Sequence, residues 1–187
     1  GMWNLDRLHA LQTLMLSSTR ISDEGLRHAG NYKNLQKLDV SSNPNFSGKG
    51  LTYISGATAL KVLDVGGTRT TDAALKHIVK LQNLSELHLV ETQITSACLK
   101  SVTALTNLRT LTLRGRTFSG NIFKQLVPLQ KLRWLGLAGT NVTDEQLPSA
   151  KLLTSLLDLS AWSTSVTQEA ADKLEKEMPY CSVAPGM

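Results

Sequence analysis

Residues 84–95 read LSELHLVETQIT and carry the pattern that decides the fold, L-x-x-L-x-L-x-x-T-x-I-T. The same pattern recurs as LQTLMLSSTRIS from Leu11, LKVLDVGGTRTT from Leu60 and LRWLGLAGTNVT from Leu132. Successive units start 24, 25, 24, 24, 24 and 24 residues apart, at Leu11, Leu35, Leu60, Leu84, Leu108, Leu132 and Leu156. A fixed period of this length predicts a repeat protein in which each unit packs on its neighbours.

The first part of each unit predicts a short strand. Alternation with a period of two places positions four and six on the same side of that strand. The paired residues at these positions are Leu14 and Leu16, Leu38 and Val40, Leu63 and Val65, Leu87 and Leu89, Leu111 and Leu113, Leu135 and Leu137, and Leu159 and Ala161. Seven such strands stacked in parallel would bury a continuous apolar ladder.

The second part of each unit predicts a short helix with one buried face. A Ser or Thr that can act as an N-cap occurs in every unit, at Ser22, Ser47, Thr71, Thr95, Ser119, Thr143 and Thr167. Apolar residues follow four and seven positions after the cap, which is helical spacing. Acids such as Asp72 and Asp144 follow the cap, where a helix dipole favours negative charge. Asn34, Asn83 and Asn107 precede the next strand and predict left-handed turns.

These units resemble the leucine-rich-repeat family, in the 24-residue form with T-x-I/V-T-D, as in TNVTDEQL at residues 140–147. They are similar to repeats of bacterial, planctomycete-like proteins and to the cysteine-containing repeats of F-box substrate receptors. The resemblance covers residues 11 to about 183. It implies an α/β fold, a right-handed solenoid of about seven repeats with a parallel sheet on the concave face and short helices on the convex face. It also implies protein binding, although the motif itself is scaffold.

The repeat frame predicts one domain. Residues 1–10 are interpreted as a partial N-terminal repeat or cap, and residues 180–187 as a closing strand and tail. The repeats between them are predicted at 11–34, 35–59, 60–83, 84–107, 108–131, 132–155 and 156–179. Two departures from the family pattern stand out. Position nine is mostly threonine instead of asparagine, and the second unit has one extra residue within SSNPNFSGKG.

Composition argues against several classes of function. The net charge of +5 comes from Lys and Arg spread along the chain, which does not favour a nucleic-acid partner. Two cysteines and four histidines without ligand spacing predict no metal site, and nothing in the sequence predicts a small-molecule cofactor. No apolar stretch reaches the ~20 residues of a membrane-spanning segment. Localisation is left open by these features.

The candidate partner-binding residues lie on strand positions that point away from the core. Asp39, Asp64 and Glu86 are predicted to place negative charge on the first half of the concave face, with His88 beside them. Arg109, Arg114 and Arg133 place positive charge on the second half, near Trp134 and Trp162. Arginine and aromatic residues are typical of binding hot spots. In the competing interpretation, the tryptophans pack on neighbouring side chains and the arginines pair with acids.

Three other functions were considered from the sequence. Asp64, His88 and Thr112 fall on consecutive strands in the order acid, base and hydroxyl, but an open sheet offers no oxyanion hole and little exclusion of water. The sequence therefore predicts a protein- or peptide-binding scaffold and no enzyme. The alternatives left open are a structural spacer array within a longer surface or secreted protein, and the substrate-recognition arm of a ubiquitin-ligase-type adaptor.

Overall fold

The chain forms one open parallel sheet with a short helix or helical turn between most successive strands. The computed structural model describes residues 10–27, 29–118 and 120–186. The predicted cap at residues 1–10 lies almost entirely outside the described residues. The strands are β1 Thr13–Met15, β2 Lys37–Asp39, β3 Val62–Asp64, β4 Glu86–Leu89, β5 Thr110–Leu113, β6 Trp134–Gly136, β7 Asp158–Ser160 and β8 Ser182–Ala184.

The helices that connect the strands are short and lie on one side of the sheet, called here the helical side. Four are α-helical: α1 Asp72–Leu75, α2 Leu99–Val102, α3 Ile122–Gln125 and α4 Gln168–Glu177. The others are 3₁₀ helices at Asp23–Leu26, Ala29–Asn31, Lys49–Ile54, Ser96–Cys98 and Leu147–Leu152. No helix in the described ranges has the length and apolar character needed to cross a membrane.

The strands pair in chain order, from β1 to β8, and every pair is parallel. Equivalent positions of successive units face each other, so that Leu38, Leu63 and Leu87 are direct cross-strand partners. The fixed period therefore converts each position of the unit into a straight column across the sheet. The predicted solenoid is confirmed.

The core lies between the sheet and the helices and consists of leucine columns. Position four is buried in all seven units, from Leu14 at 8% exposed to Leu159 at 2%. The apolar residues predicted to follow each cap are buried as well, including Leu75 and Ile78, which are fully excluded from solvent. Since buried leucines contribute about 1.5–3 kcal/mol each, stability is spread along the array.

The predicted helix caps are correct in some units and wrong in others. Ser22, Thr71, Thr95 and Thr167 occupy N-cap positions, but only the hydroxyls of Thr95 and Thr167 accept a bond from their own helix. In the second, fifth and sixth units, Gly48, Asn121 and Gln146 precede the helix in place of Ser47, Ser119 and Thr143. Ser119 itself lies outside the described residues.

Three aspartates link successive repeats, which the helix-dipole interpretation missed. The carboxylate of Asp72 accepts bonds from Thr95 N at 2.8 Å and Thr95 Oγ1 at 2.7 Å. Asp144 makes the same pair of contacts to Thr167. Asp23 accepts from Ser47 Oγ and from the backbone of Gly50. Each acid therefore satisfies the turn of the following repeat.

The threonine column at position nine bonds within its own repeat. Thr68, Thr92 and Thr140 each donate to the carbonyl three residues earlier, at 2.6–2.8 Å. The single asparagine of this column behaves differently. Asn43 Nδ2 donates to the carbonyls of Leu16, Val40 and Ser41, and its Oδ1 accepts from Ile21 N at 3.0 Å. A threonine hydroxyl is too short for both roles, so only Asn43 bridges two repeats at this position.

The left-handed turns occur at position eight of each unit and not at the predicted asparagines. Asn34, Asn83 and Asn107 are absent from the positive-φ residues of the described chain. The amides of Asn83 and Asn107 instead donate to the carbonyls of Thr58 and Gln82 in the preceding repeat, at 2.8 and 2.7 Å. Positive φ values recur in every unit at Ser18, Ser42, Gly67, Glu91, Gly115, Gly139 and Ser163.

The extra residue of the second unit lies in a turn at the side of the sheet. Pro44 and Asn45 form this turn, and Phe46 N donates to Asn43 O at 3.0 Å behind it. Phe46 is fully buried. The next strand, β3, keeps its register with β2, so the insertion is absorbed without disturbing the columns.

A candidate binding surface on the sheet

The sheet face is defined here as the residues at positions three, five and seven of each unit, whose side chains point away from the leucine core. The columns at positions three and five are in register across the whole sheet, from Thr13 to Asp158 and from Met15 to Ser160. Adjacent strands lie ~4.8 Å apart, so seven strands span roughly 30 Å. A peptide or the edge of a folded protein fits this length.

The side chain of Trp134 lies over its own strand, β6, and the residue is half-buried. Its ring passes so close to Gly136 that a Cβ added there would stand 2.9 Å from ring atoms Cη2 and Cζ3, and 3.5 Å from Thr112 Cγ2. Gly136, at position five of the repeat unit, therefore provides the space for the indole. The indole therefore lies against the backbone at Gly136 and keeps part of its surface exposed.

Trp162 is the more exposed of the two, with 47% of its surface accessible. It lies at position seven after β7, whereas Trp134 is at position three of β6, so their backbones are roughly 14 Å apart. The residues between them are small, namely Gly136, Ala138 and Ser160. The two tryptophans thus stand at opposite edges of a shallow floor and do not form one pocket.

The three candidate arginines have different surroundings. Arg114 Nη1 pairs with Glu91 Oε1 at 2.9 Å, and its aliphatic stem lies beside Gly139. Arg109 and Arg133 precede β5 and β6, are exposed and make no ion pair with any described acid. The backbone carbonyl of Arg109 accepts from Arg133 N and Trp134 N, which holds these residues side by side.

The candidate acids lie two to four strands from Trp134, and Asp39 and Asp64 are also engaged locally. Asp39 Oδ1 accepts from Ser41 N and Ser41 Oγ at 2.8 and 2.6 Å. Asp64 Oδ1 accepts from Gly66 N at 2.8 Å. Glu86 begins β4 and is half-buried. The structure therefore does not bring these acids together with the tryptophans, which lie on β6 and after β7.

His88 contacts Thr112 and not Asp64. Its Nδ1 lies 3.3 Å from Thr112 Oγ1, which also accepts from Leu89 N. The carboxylate of Asp64 faces its own backbone, so acid, base and hydroxyl do not form a connected chain. These residues line a shallow cavity of about 300 Å³ with Ser41, Gly67 and Glu91, open to solvent at the ends of β2–β5.

The cysteines and the acid-rich positions do not form a metal site in the described ranges, where no group of three His, Cys, Asp or Glu side chains converges. Cys98 and Cys181 are free and buried. Burial raises the pKa of the Cys98 thiol to about 12 and that of Cys181 to about 11. Both thiols therefore behave as core residues.

Several surface residues beside the sheet face were missed from the sequence. Lys61 Nζ donates to Gln36 Oε1 at 2.9 Å, and Lys131 Nζ to Asn107 Oδ1 at 2.6 Å, each reaching back one repeat. Leu157 is 42% exposed and occupies the same position of its unit as Lys61, Arg109 and Arg133. For Lys61 and Leu157 the signal was their position two in the repeat frame, which they share with the candidates Arg109 and Arg133.

Comparison with known proteins agrees with this architecture. A family model described as a leucine-rich repeat matches residues 8–27 and 33–55. A search of curated protein sequences gave no significant match. Among solved structures, internalin C2 from Listeria monocytogenes is 20% identical, with 96% of this chain and 82% of that chain covered and a TM-score of 0.70.

Two further solved structures are similar. A leucine-rich-repeat protein of Leptospira interrogans is 20% identical, with a TM-score of 0.60, covering 96% of this chain and 50% of that one. The leucine-rich-repeat ectodomain of an Arabidopsis thaliana membrane receptor kinase, in complex with Casparian strip integrity factor 2, is 21% identical with a TM-score of 0.58 and covers 84% of this chain and 19% of that one. The in-register repeats, the parallel sheet and these structural neighbours show that the chain has the leucine-rich-repeat fold, and part of it matches the model of that family.

Proposed function

We propose that this protein is a binding scaffold whose sheet face, over β5 to β7, holds a segment of another protein. The observation that carries the proposal is the pair of tryptophans, the exposed Trp162 and the half-buried Trp134, separated on the sheet face by small residues. Large aromatic side chains at the margins of a shallow groove bury much area on binding and lose little conformational freedom. Arg109 and Arg133 add hydrogen-bond donors that are not paired with an acid of the described chain.

No catalytic role is part of this proposal. A nucleophile, base and orienting acid need mutual hydrogen bonds and a site sheltered from water. His88 and Thr112 contact each other, but Asp64 is committed to Gly66 and the cavity around them is open. Binding also fits what leucine-rich-repeat proteins commonly do, and the plant receptor ectodomain was solved with its partner bound.

The proposal is tested by selecting binders from a random 12-residue peptide library on the immobilised protein. The affinities of recovered peptides are then measured for wild-type protein and for Trp162→Ala and Trp134→Ala. Loss of a hot-spot aromatic weakens binding about ten-fold or more. Leu152→Ala is the matched control, since Leu152 is 44% exposed, close to the 47% of Trp162, but lies on the helical side.

Two results would contradict the proposal. One is recovery of no peptide above background. The other is recovery of peptides whose affinity is the same for wild type and both tryptophan variants, with circular dichroism showing that the variants are folded. Because Trp134 covers Gly136, its variant is also expected to lose about 1–2 kcal/mol of stability, so thermal melting accompanies every measurement.

A further inference from the structure

The edge of the sheet at which the strands begin carries a row of cations, here called the strand-start rim. It consists of Lys37 in β2, Lys61 before β3, Arg109 before β5, and Lys131 and Arg133 before β6. All five residues are exposed. These residues stand at position two of their units or within two residues of it. Because the strands are in register, they form a band across the sheet over about four strand spacings, or ~19 Å.

No acid of the described chain neutralises these five cations. The ion pairs within the described ranges are Arg27–Glu24, Arg114–Glu91 and Lys151–Glu177, none of which lies on the rim. Two acids begin strands along the same edge, Glu86 in β4 and Asp158 in β7, leaving an excess of three positive charges. The row is therefore basic over β2–β3 and again over β5–β6.

Two of the rim lysines are held in place by neutral acceptors. Lys61 and Lys131 each bond to a side-chain amide oxygen of the preceding repeat, Gln36 and Asn107. An amide positions an ammonium group without cancelling its charge, and one bond leaves two N–H donors for a ligand. Holding the side chain in advance also lowers the entropy lost on binding.

An apolar surface adjoins the basic row at one end. Trp134 follows Arg133 directly, and Leu157, 42% exposed, is the next residue along the rim after Arg133. An acidic chain bound along the rim would place its carboxylates beside the rim cations. An aliphatic or aromatic residue at its end would contact Trp134 and Leu157 at β6–β7. At ~3.3 Å per residue, an extended chain covers ~19 Å with about six residues.

Resting on the proposed function, we propose that the partner segment is an acidic stretch of about six residues, with an apolar residue at its end, bound along the strand-start rim. A protein segment fits better than a nucleic acid. Glu86 interrupts the row. Asp39 and Asp64 lie two and three residues after Lys37 and Lys61, where they repel the second line of phosphates of a double-stranded nucleic acid. A single extended peptide avoids them.

The test uses three fluorescein-labelled probes in fluorescence polarisation at 0.05 M salt. These are the peptide LEEEEEEL, the peptide LQQQQQQL and an eight-base-pair DNA duplex. We expect LEEEEEEL to bind at least ten-fold more tightly than the other two. Its affinity is expected to fall several-fold at 0.5 M salt, because exposed charge pairs are screened.

A matched pair of charge-neutralised proteins locates the site. Lys61→Gln with Lys131→Gln removes two rim charges, whereas Lys100→Gln with Lys124→Gln removes two charges from exposed lysines of α2 and α3 on the helical side. The rim variant is expected to bind LEEEEEEL about three- to ten-fold more weakly, from the small energy of each exposed ion pair. The control variant is expected to bind like wild type.

Several outcomes would overturn the proposal. They are no binding of LEEEEEEL, equal binding of LQQQQQQL, equal losses in both double variants, or binding of the DNA duplex as tight as that of LEEEEEEL. Such results leave the peptide-library test untouched. Tryptophan-dependent peptides without acidic residues would mean that the scaffold binds a different segment, so the two proposals can fail separately.

Discussion

Single residues in this repeat differ sharply in what they hold together, and Asn43 shows the largest contrast. In the position-nine column, its fully buried amide makes contacts to Leu16 and Ile21 in the first repeat as well as to its own. Thr140, in the equivalent position of the sixth unit, makes one hydroxyl bond to Leu137 O. A column that looks uniform in sequence thus contains one inter-repeat bridge.

Replacing Asn43 with alanine is expected to lower the free energy of unfolding by about 2–4 kcal/mol, because several buried backbone groups lose their partners at once. Thr140→Val removes a single bond and is expected to cost about 1 kcal/mol. Urea denaturation of both variants measures the difference. Equal costs would show that the inter-repeat contacts of Asn43 add nothing to stability.

The two thiols provide a second prediction at this scale. Burial raises the pKa of Cys98 from 9.0 to about 12. At pH 8 about one molecule in ten thousand would carry the reactive thiolate. Native protein is therefore expected to react slowly with Ellman's reagent and completely after unfolding in guanidinium. Since the folded pKa is the higher one, this thiol stabilises the fold below pH 9, and the contribution is lost as the pH rises toward 12. Rapid stoichiometric labelling of the native state would contradict a buried position.

At the scale of elements, the short helices depend on the neighbouring repeat for their caps. The Asp72 carboxylate in the first turn of α1 holds both the backbone and the hydroxyl of Thr95. An isolated helix of four residues has no stability of its own, since nucleation outweighs the few bonds formed. Contacts between repeats are therefore what keeps these turns helical.

Asp72→Ala is expected to cost about 1–2 kcal/mol of unfolding free energy, since it leaves the amide and hydroxyl of Thr95 without this acceptor. Asp172→Ala serves as the control, because Asp172 is exposed on α4 and accepts its hydrogen bond from Gln168 of the same helix. That change is expected to stay within about 0.5 kcal/mol. Equal thermal melting of the two variants would mean that the link between repeats is not stabilising.

The regular elements were predictable from the sequence because a period of 24 residues fixes which positions are equivalent. Strand positions, register and the buried leucine columns all follow from that equivalence, and the structure confirms them. The direction of a polar side chain does not follow in the same way. Asp72 follows a cap and suggests its own helix, yet it turns to Thr95, because the next repeat presents two donors at the same place.

The candidate surface was predictable only in outline for a similar reason. The frame predicted Trp134 and Trp162 on the sheet face, but it gave no measure of the space over Gly136 or of the pairing between Arg114 and Glu91. At position two the sequence interpretation included Arg109 and Arg133 but left out Lys61 and Leu157. These features depend on how long side chains lie across neighbouring strands, which periodicity does not describe.

For the whole molecule, each repeat contacts only its neighbours, so stability is expected to vary along the array. Central strands have partners on both sides, and β4 and β5 share the longest pairing, from Glu86–Thr110 to Leu89–Leu113. Local opening therefore costs most in the middle of the sheet.

Hydrogen exchange measured by mass spectrometry is expected to show the slowest amides in β4 and β5 and faster exchange in β1 and β8. Peptides spanning each strand provide the comparison, and the β3 and β6 peptides are expected to be intermediate. A single uniform rate along all eight strands would show instead that the array opens as one cooperative unit.

The turn at Pro44–Asn45 has a practical consequence for working with this protein. The chain has already accepted one additional residue there, on the flank of the sheet, while β3 kept its alignment with β2. A loop lengthened at an exposed turn adds little closure entropy, about 0.6 kcal/mol for each doubling of its length. This corner is thus the natural place to graft an epitope tag or a fluorophore, because a graft there would leave both the rim and the tryptophans uncovered.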